Sequence, residues 1–171
     1  LFFLMAIVFA IQGWTQPIPI TIGTGTTTSS TSSLPGLYGY NISAHLYSAS
    51  EIGVSVGGSI ESIEYNISSI TAGTGKRVKI YLIEVAGTSI DLNQSWTALT
   101  SAATLVYDST SFYTPSSGWK KFGFTSPFTY SGAGNLLVLT EGYGCSTSGS
   151  CSMTIYNNTG TSSNCYNRYK D

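Results

Sequence analysis

The chain has 171 residues, enough for one ordinary domain with a sizeable core, and 42% of them are hydrophobic. Charged residues make up 9% and the formal net charge is −1, so the chain lacks the cationic surface that binding to nucleic acid or anionic lipid requires. Ser, Thr, Gly, Asn and Tyr are abundant instead, a composition typical of extracellular β-proteins.

The N-terminal segment predicts export. LFFLMAIVFAIQGWTQ begins with an apolar run of about eleven residues, the size of a signal-peptide core and too short to span a bilayer. We expect residues 1–16 to be a secretion signal that lacks its true start, because the initiator Met and a positive leading region are absent; a longer membrane anchor is the open alternative. The predicted location is secreted or cell-surface, with no membrane span in the mature domain.

Residues 17–35 form a Thr/Ser/Gly-rich tract bounded by prolines. Such a tract has too little apolar surface to offset the entropy lost in packing, and it is either a linker or an extended lead-in strand. Residues 36–171 are the predicted β-sandwich domain.

Alternation with period two dominates from Leu37 onward and predicts strands. In YGYNISAHLY the apolar phase carries Tyr38, Tyr40, Ile42, Ala44 and Leu46. The polar phase carries Asn41, Ser43, His45 and Tyr47. This pattern indicates a half-buried strand whose polar phase faces solvent.

Other segments extend the strand pattern. In IESIEYNI, Ile60 is out of phase with Ile63, which predicts either a bulge or a strand start near Glu61. Further strands are predicted at KRVKIYLIEV, ATLVYDS, WKKFGFT, NLLVLTEG, SMTIYN and CYNRYK. NLLVLT is apolar on both faces and predicts an interior strand, whereas SPF is expected to break the strand before it and YSGAGN to form a turn.

One segment, IDLNQSWTAL, has helix-like spacing over one or two turns. Strands without intervening helices favour an all-β fold, an antiparallel two-sheet β-sandwich with a jelly-roll-like arrangement and about eight strands.

The order SASEIG, GSIESIEYNIS, KRVKIYLIEV, SW and GWKKFGFTSPFTYSGAGNLLVLTEG resembles a β-sandwich module near the N-terminus of large secreted proteins of Bacteroidota, similar in style to gingipain-type adhesin modules. The resemblance covers about residues 20–171, and its most specific pieces are SEIG and PFTYSGAGNLLV. It implies a jelly-roll-like domain, a signal peptide and further domains after Asp171, such as fibronectin-like repeats, a peptidase or glycosidase domain and a sorting domain. It carries over no ligand-binding residue.

Cysteine spacing predicts one disulfide. CSTSGSC places Cys145 and Cys151 at the two ends of a small polar loop, where a hairpin brings their Cα atoms into bonding range. Cys165 is then left over, and three alternatives stay open for it. They are a bond to Cys151 instead, a free thiol, or a bond to a cysteine beyond Asp171.

No metal ligand or cofactor is predicted. Three Cys and one His lack the paired C-x-x-C spacing of zinc sites. A structural Ca²⁺ is an open alternative, but the chain has no D-x-D-x-D-G run, and Glu51, Asp91 and Asp108 are scattered single acids.

Catalytic residues are not predicted either. His45 is the single histidine and has no G-x-S-x-G nucleophile elbow to accompany it. A glycosidase needs two carboxyl groups at a defined distance from each other. Two acid pairs are candidates, Glu61 with Glu64 and Asp91 with Asp108, but their spacing in sequence does not determine that distance. We therefore predict that the chain is not an enzyme.

Aromatic residues give the remaining signal. Sugar-binding sandwiches stack planar rings on sugars, and this chain has 12 Tyr and 3 Trp. The candidate ligand-binding residues are Tyr47, Tyr81, Tyr113, Tyr143, Trp96 and Trp119. We expect a non-catalytic adhesion or binding module for a surface polysaccharide or a protein. A structural spacer or assembly domain, and an accessory domain of a secreted hydrolase, are the open alternatives.

Overall fold

The structure is a computed structural model. It describes residues 19–22, 27–29, 34, 39–70, 77–91, 93–109, 116–143, 153–157 and 165–170. The predicted signal over residues 1–16 and the predicted Cys145–Cys151 disulfide lie outside these residues.

The described residues form nine strands and two short helices. The strands are β1 (Thr27–Ser29), β2 (Tyr40–Tyr47), β3 (Gly58–Ile70), β4 (Arg77–Val85), β5 (Thr104–Asp108), β6 (Gly118–Tyr130), β7 (Asn135–Tyr143), β8 (Met153–Asn157) and β9 (Cys165–Lys170). The helices are α1 (Ala49–Ile52) and α2 (Trp96–Ala102). No helix in this part of the chain is long and apolar enough to cross a membrane.

The strands form two antiparallel sheets with the connectivity of a jelly roll. The four-stranded sheet has the order β1-β8-β3-β6, and the five-stranded sheet has the order β5-β4-β7-β2-β9. Eight of the strands pair as in the two arms of one long, folded hairpin. The nested pairs are β1 with β8, β2 with β7, β3 with β6 and β4 with β5. Rolling such a hairpin onto itself gives the two-sheet jelly roll, so the predicted fold class is confirmed.

The sandwich interior is apolar and comes from both sheets. Strand β4 contributes Val78, Ile80 and Leu82, each with no exposed surface. Phe122 and Ile67 face them from the four-stranded sheet and are 1% exposed. Burial of these side chains is the main stabilising contribution.

A second apolar cluster lies on the outer face of the five-stranded sheet. Leu137 and Leu139 of β7 pack there with Leu46 of β2, and Trp96 and Leu99 of α2 cover them. Because Leu136 and Val138 of β7 belong to the interior cluster, this strand is buried on both faces, as predicted. The cover extends over one end of the outer face.

The predicted bulge and the predicted break at SPF are one irregularity. Register between β3 and β6 shifts between Ile60, which lies opposite Phe128, and Ser62, which lies opposite Gly123. Strand β6 nevertheless continues through Pro127 to Tyr130, so the expected strand break is wrong. Proline is tolerated here because Pro127 lies between Gly123 and Phe128, in the part of this edge strand that has no register partner in β3.

The lead-in tract contributes to the fold. Residues 27–29 pair with β8 as the edge strand β1, and Leu34 is 1% exposed in the interior cluster. Of the two alternatives for this tract, a linker or a lead-in strand, residues 27–29 form the strand.

Candidate functional site

Three adjacent strands bring polar and aromatic residues together on the outer face of the five-stranded sheet, beyond the end that α2 covers. Tyr40 of β2 lies opposite Tyr143 of β7, which lies opposite Arg77 of β4. One row along, Glu141 of β7 lies opposite Lys79 of β4. Cross-strand partners share a face of the sheet, so these side chains are neighbours.

Glu141 is the centre of this group. Its Oε1 accepts hydrogen bonds from the hydroxyls of Tyr40 at 3.0 Å and Tyr143 at 2.8 Å, and its Oε2 accepts one from Tyr81 at 3.4 Å. The side chain is 13% exposed, and Lys79 Nζ lies 4.0 Å from Oε2. We call Tyr40, Tyr81, Glu141 and Tyr143 the tyrosine–glutamate patch.

Two of the aromatic rings of the patch contact each other, and Arg77 contacts one of them. The Tyr40 and Tyr143 ring centroids are 5.2 Å apart with a tilt of 53°. The Arg77 guanidinium lies 5.8 Å from the Tyr143 ring centroid, within the range of a cation–π contact. Arg77 is fixed in turn, because its Nε donates to Ser109 O at 2.8 Å and its Nη2 lies 3.4 Å from Asp108 Oδ1.

The phenol groups of the patch have raised pKa values. Burial, with the nearby Glu141 carboxylate, raises the pKa of Tyr81 to about 12. The pKa values of Tyr40 and Tyr143 are raised by the same causes, burial first. These hydroxyls therefore keep their protons at physiological pH and stay hydrogen-bond donors to Glu141.

The arrangement presents half-buried rings beside a fixed set of oxygen atoms. Rings offer surface for stacking, and the oxygens offer hydrogen-bonding positions, the two features that recognition of a sugar combines. Because neighbouring strands position every member, the fold itself fixes the geometry of the group.

The structure brings two of the predicted aromatic residues together and separates the others. Tyr81 and Tyr143 meet at Glu141. Trp119 lies in the four-stranded sheet, on β6 opposite Asn66 of β3, and is 61% exposed. Trp96 packs against the outer cluster of the five-stranded sheet. Tyr113 lies outside the described residues.

Tyr47 does not have the exposure that was expected of it. It packs against the interior cluster from β2. The polar phase of β2 faces the sandwich interior, where Asn41 is 4% exposed and Ser43 is fully buried. The prediction that this phase faces solvent is therefore wrong, because internal partners satisfy the polar groups: Asn41 donates to Leu34 O at 3.1 Å, and Ser43 hydrogen-bonds Thr140.

His45 lies in the same interior phase, in register with Val138. It is half-buried, and burial lowers its pKa to about 4. The histidine is thus an interior residue of the sandwich rather than the surface residue that the alternation predicted.

Sequence reasoning missed Tyr40 and Glu141. Tyr40 falls in the apolar phase of β2 and reads as a core residue, and Glu141 is a single acid after the apolar run LLVLT. The register between β2 and β7 brings these two residues together, although they are 101 residues apart in sequence. Periodicity along one strand does not contain that information.

The three acids considered for calcium have other partners. Glu51 completes a capping box with Ser48 at the start of α1, Asp91 accepts from Asn93 N at 2.9 Å, and Asp108 pairs with Arg77. In the described part of the chain, no three His, Cys, Asp or Glu side chains group as a metal site.

A groove of about 430 Å³ lies elsewhere, at the turn between β6 and β7, and is lined in part by Glu84 and Asn135. Glu84 accepts hydrogen bonds from Ser131 N at 2.9 Å and Gly134 N at 2.6 Å. Hydrogen bonds, chiefly from the Ser131 side chain, lower the Glu84 pKa. This carboxylate holds the turn together, which accounts for its position without a ligand.

Comparison with known families, proteins and structures returns no match. No protein-family model matches the chain, and neither does any curated protein or solved structure. The resemblance to the Bacteroidota module therefore stays a prediction, and inference about function starts from the tyrosine–glutamate patch.

Proposed function

We propose that the protein is a non-catalytic, secreted or cell-surface module that binds glycans through the tyrosine–glutamate patch. The observation that supports this proposal most is the convergence of three phenol groups on Glu141 across three neighbouring strands. Rings beside fixed oxygens on a rigid sheet match the needs of sugar recognition, which combines stacking with hydrogen bonds to hydroxyls.

A binding role fits the acids of this face better than a catalytic one. Glycoside hydrolysis uses two carboxyl groups, one of which donates a proton. Here Glu141 accepts three hydrogen bonds from tyrosines, and Asp108 pairs with Arg77 at 3.4 Å. Both acids therefore stabilise the face itself, which supports assignment of the module to binding.

The test is a glycan-array measurement with the purified protein and three single variants. Tyr81→Ala and Tyr143→Ala each remove a ring from the patch, and we expect each to weaken binding at least about tenfold. Trp119→Ala is the matched control, because it removes an exposed ring from the opposite sheet and is expected to change binding by less than about twofold.

Two results would count against the proposal. Binding that survives both tyrosine substitutions would remove the patch as the site. Absence of binding to every surface polymer tested would favour the alternative of a structural spacer, in which the patch satisfies only its own hydrogen bonds.

A further inference from the structure

We propose that the tyrosine–glutamate patch selects neutral glycans that donate hydrogen bonds through free hydroxyls, and that it rejects carboxylated and O-alkylated ones. This inference rests on the proposed glycan-binding function and specifies its ligand class. It follows from the direction of the hydrogen bonds inside the patch and from the charges around it.

Each phenol of the patch has already used its donor. A tyrosine hydroxyl has one proton to give and lone pairs with which to accept. Tyr40, Tyr81 and Tyr143 all give that proton to Glu141, at 3.0, 3.4 and 2.8 Å. Toward a ligand, these three oxygens therefore offer lone pairs, and so does the Glu141 carboxylate.

A surface made of acceptors requires a ligand that supplies donors. Sugar hydroxyls are donors, whereas ether oxygens and carboxylates are acceptors. An O-methylated sugar would leave the lone pairs of the patch without partners in a contact that excludes water, which is unfavourable. A carboxylated sugar would in addition place its negative charge close to Glu141.

The two β4 cations beside the patch, Arg77 and Lys79, do not reverse this preference, and Arg168 of β9 shares the face but lies two strands away from Glu141. Arg77 is paired with Asp108 at 3.4 Å and donates to Ser109 O at 2.8 Å, and Lys79 lies 4.0 Å from Glu141. Both are thus charge-balanced within the protein. An ammonium ligand, the other strong donor, would have to compete with Lys79 for the Glu141 carboxylate and would lie close to two cations, so the chemistry that remains is a neutral polyol.

The experiment compares neutral polymers with their own derivatives. Immobilised β-glucan, galactan, mannan and dextran are each presented unmodified, carboxymethylated and O-methylated, and binding of the protein and of Tyr143→Ala is measured. We expect Tyr143-dependent binding to at least one unmodified polymer and at least about tenfold weaker binding to both of its derivatives. Binding to the neutral polymer should change by less than about twofold between 0.05 and 0.5 M NaCl.

Glu141→Gln gives an independent readout, since the amide retains the shape of the side chain but loses its charge and introduces donors. We expect the discrimination against the carboxymethylated polymer to fall at least about threefold in this variant. Circular dichroism establishes that it is folded, and Tyr143→Phe, which retains the ring, serves as a second variant that weakens neutral binding less than Tyr143→Ala does.

The outcomes separate the two proposals. Tyr143-dependent binding that is equal or stronger for a carboxymethylated or O-methylated polymer, or that collapses with salt, overturns the specificity and leaves the glycan-binding function standing. Absence of Tyr143-dependent binding to all twelve polymers overturns both.

Discussion

Two glycines show how closely the backbone packs where loops meet. Gly57 and Gly132 both have φ in the left-handed region, 71° and 84°. A Cβ on Gly132 would lie 2.5 Å from Gly57 N and 2.7 Å from Val54 O. The turn between β6 and β7 therefore rests directly on the chain that precedes β3, and no larger residue fits.

We expect Gly132→Ala to lower the free energy of unfolding by more than about 2 kcal/mol, because the substitution adds backbone strain to a clash with backbone atoms that cannot rotate away. Gly123→Ala is the control, since a Cβ there meets nothing within 4 Å. Its effect should stay below about 1 kcal/mol. Urea unfolding of both variants measures the difference, and equal losses would contradict this account of the turn.

His45 should make stability depend on pH. Burial lowers its pKa from 6.5 to about 4 in the folded protein. The unfolded chain then takes up a proton at a higher pH than the folded chain does, so the free energy of unfolding has its full value above about pH 6.5 and decreases as the pH falls to about 4. The loss attributable to this residue is at most about 3 kcal/mol.

Urea unfolding at several pH values, with His45→Gln beside the unmodified protein, isolates this contribution. The carboxylates are common to both proteins and cancel in the comparison. We expect a shallower decrease between pH 6.5 and 4 in the variant, whatever its absolute stability. Identical pH dependence in the two proteins would show that His45 is not protected from protonation by the fold.

At the scale of the element, β7 is the strand on which the five-stranded sheet depends. It lies between β4 and β2 and contributes to both apolar clusters. Its sequence, apolar at consecutive positions, predicted this burial correctly. The same one-dimensional pattern misjudged β2, because internal hydrogen bonds satisfy its buried polar residues. It left linker and strand as alternatives for TTS in β1, because that segment has no apolar residue.

Leu139→Ala should cost about 3 kcal/mol of unfolding free energy, because Leu139 is fully buried in the middle of β7 and its removal leaves a cavity. The matched change is Leu105→Ala on the edge strand β5, where the leucine is 46% exposed. That change should cost less than about 1 kcal/mol. Similar losses in thermal or urea unfolding for the two variants would contradict the central position of β7.

At the scale of the whole molecule, the candidate site is a product of topology. The nested pairing places β2 beside β7 and β7 beside β4, although these strands are far apart in sequence. Composition and periodicity predicted the two-sheet fold and two members of the patch, Tyr81 and Tyr143. They did not predict Tyr40 and Glu141, because membership depends on register between distant strands, and strand alternation alone does not fix register.

The central claim is that the tyrosine–glutamate patch is the ligand-binding surface of the protein. Its most direct test is an NMR titration with soluble β-glucan, galactan and mannan oligosaccharides, which maps the residues whose amide signals shift on binding. We predict shifts concentrated at Tyr40, Tyr81, Glu141 and Tyr143 on β2, β4 and β7, with the strand around Trp119 unaffected. Shifts centred on Trp119, or no shifts with any of the oligosaccharides, would contradict the claim.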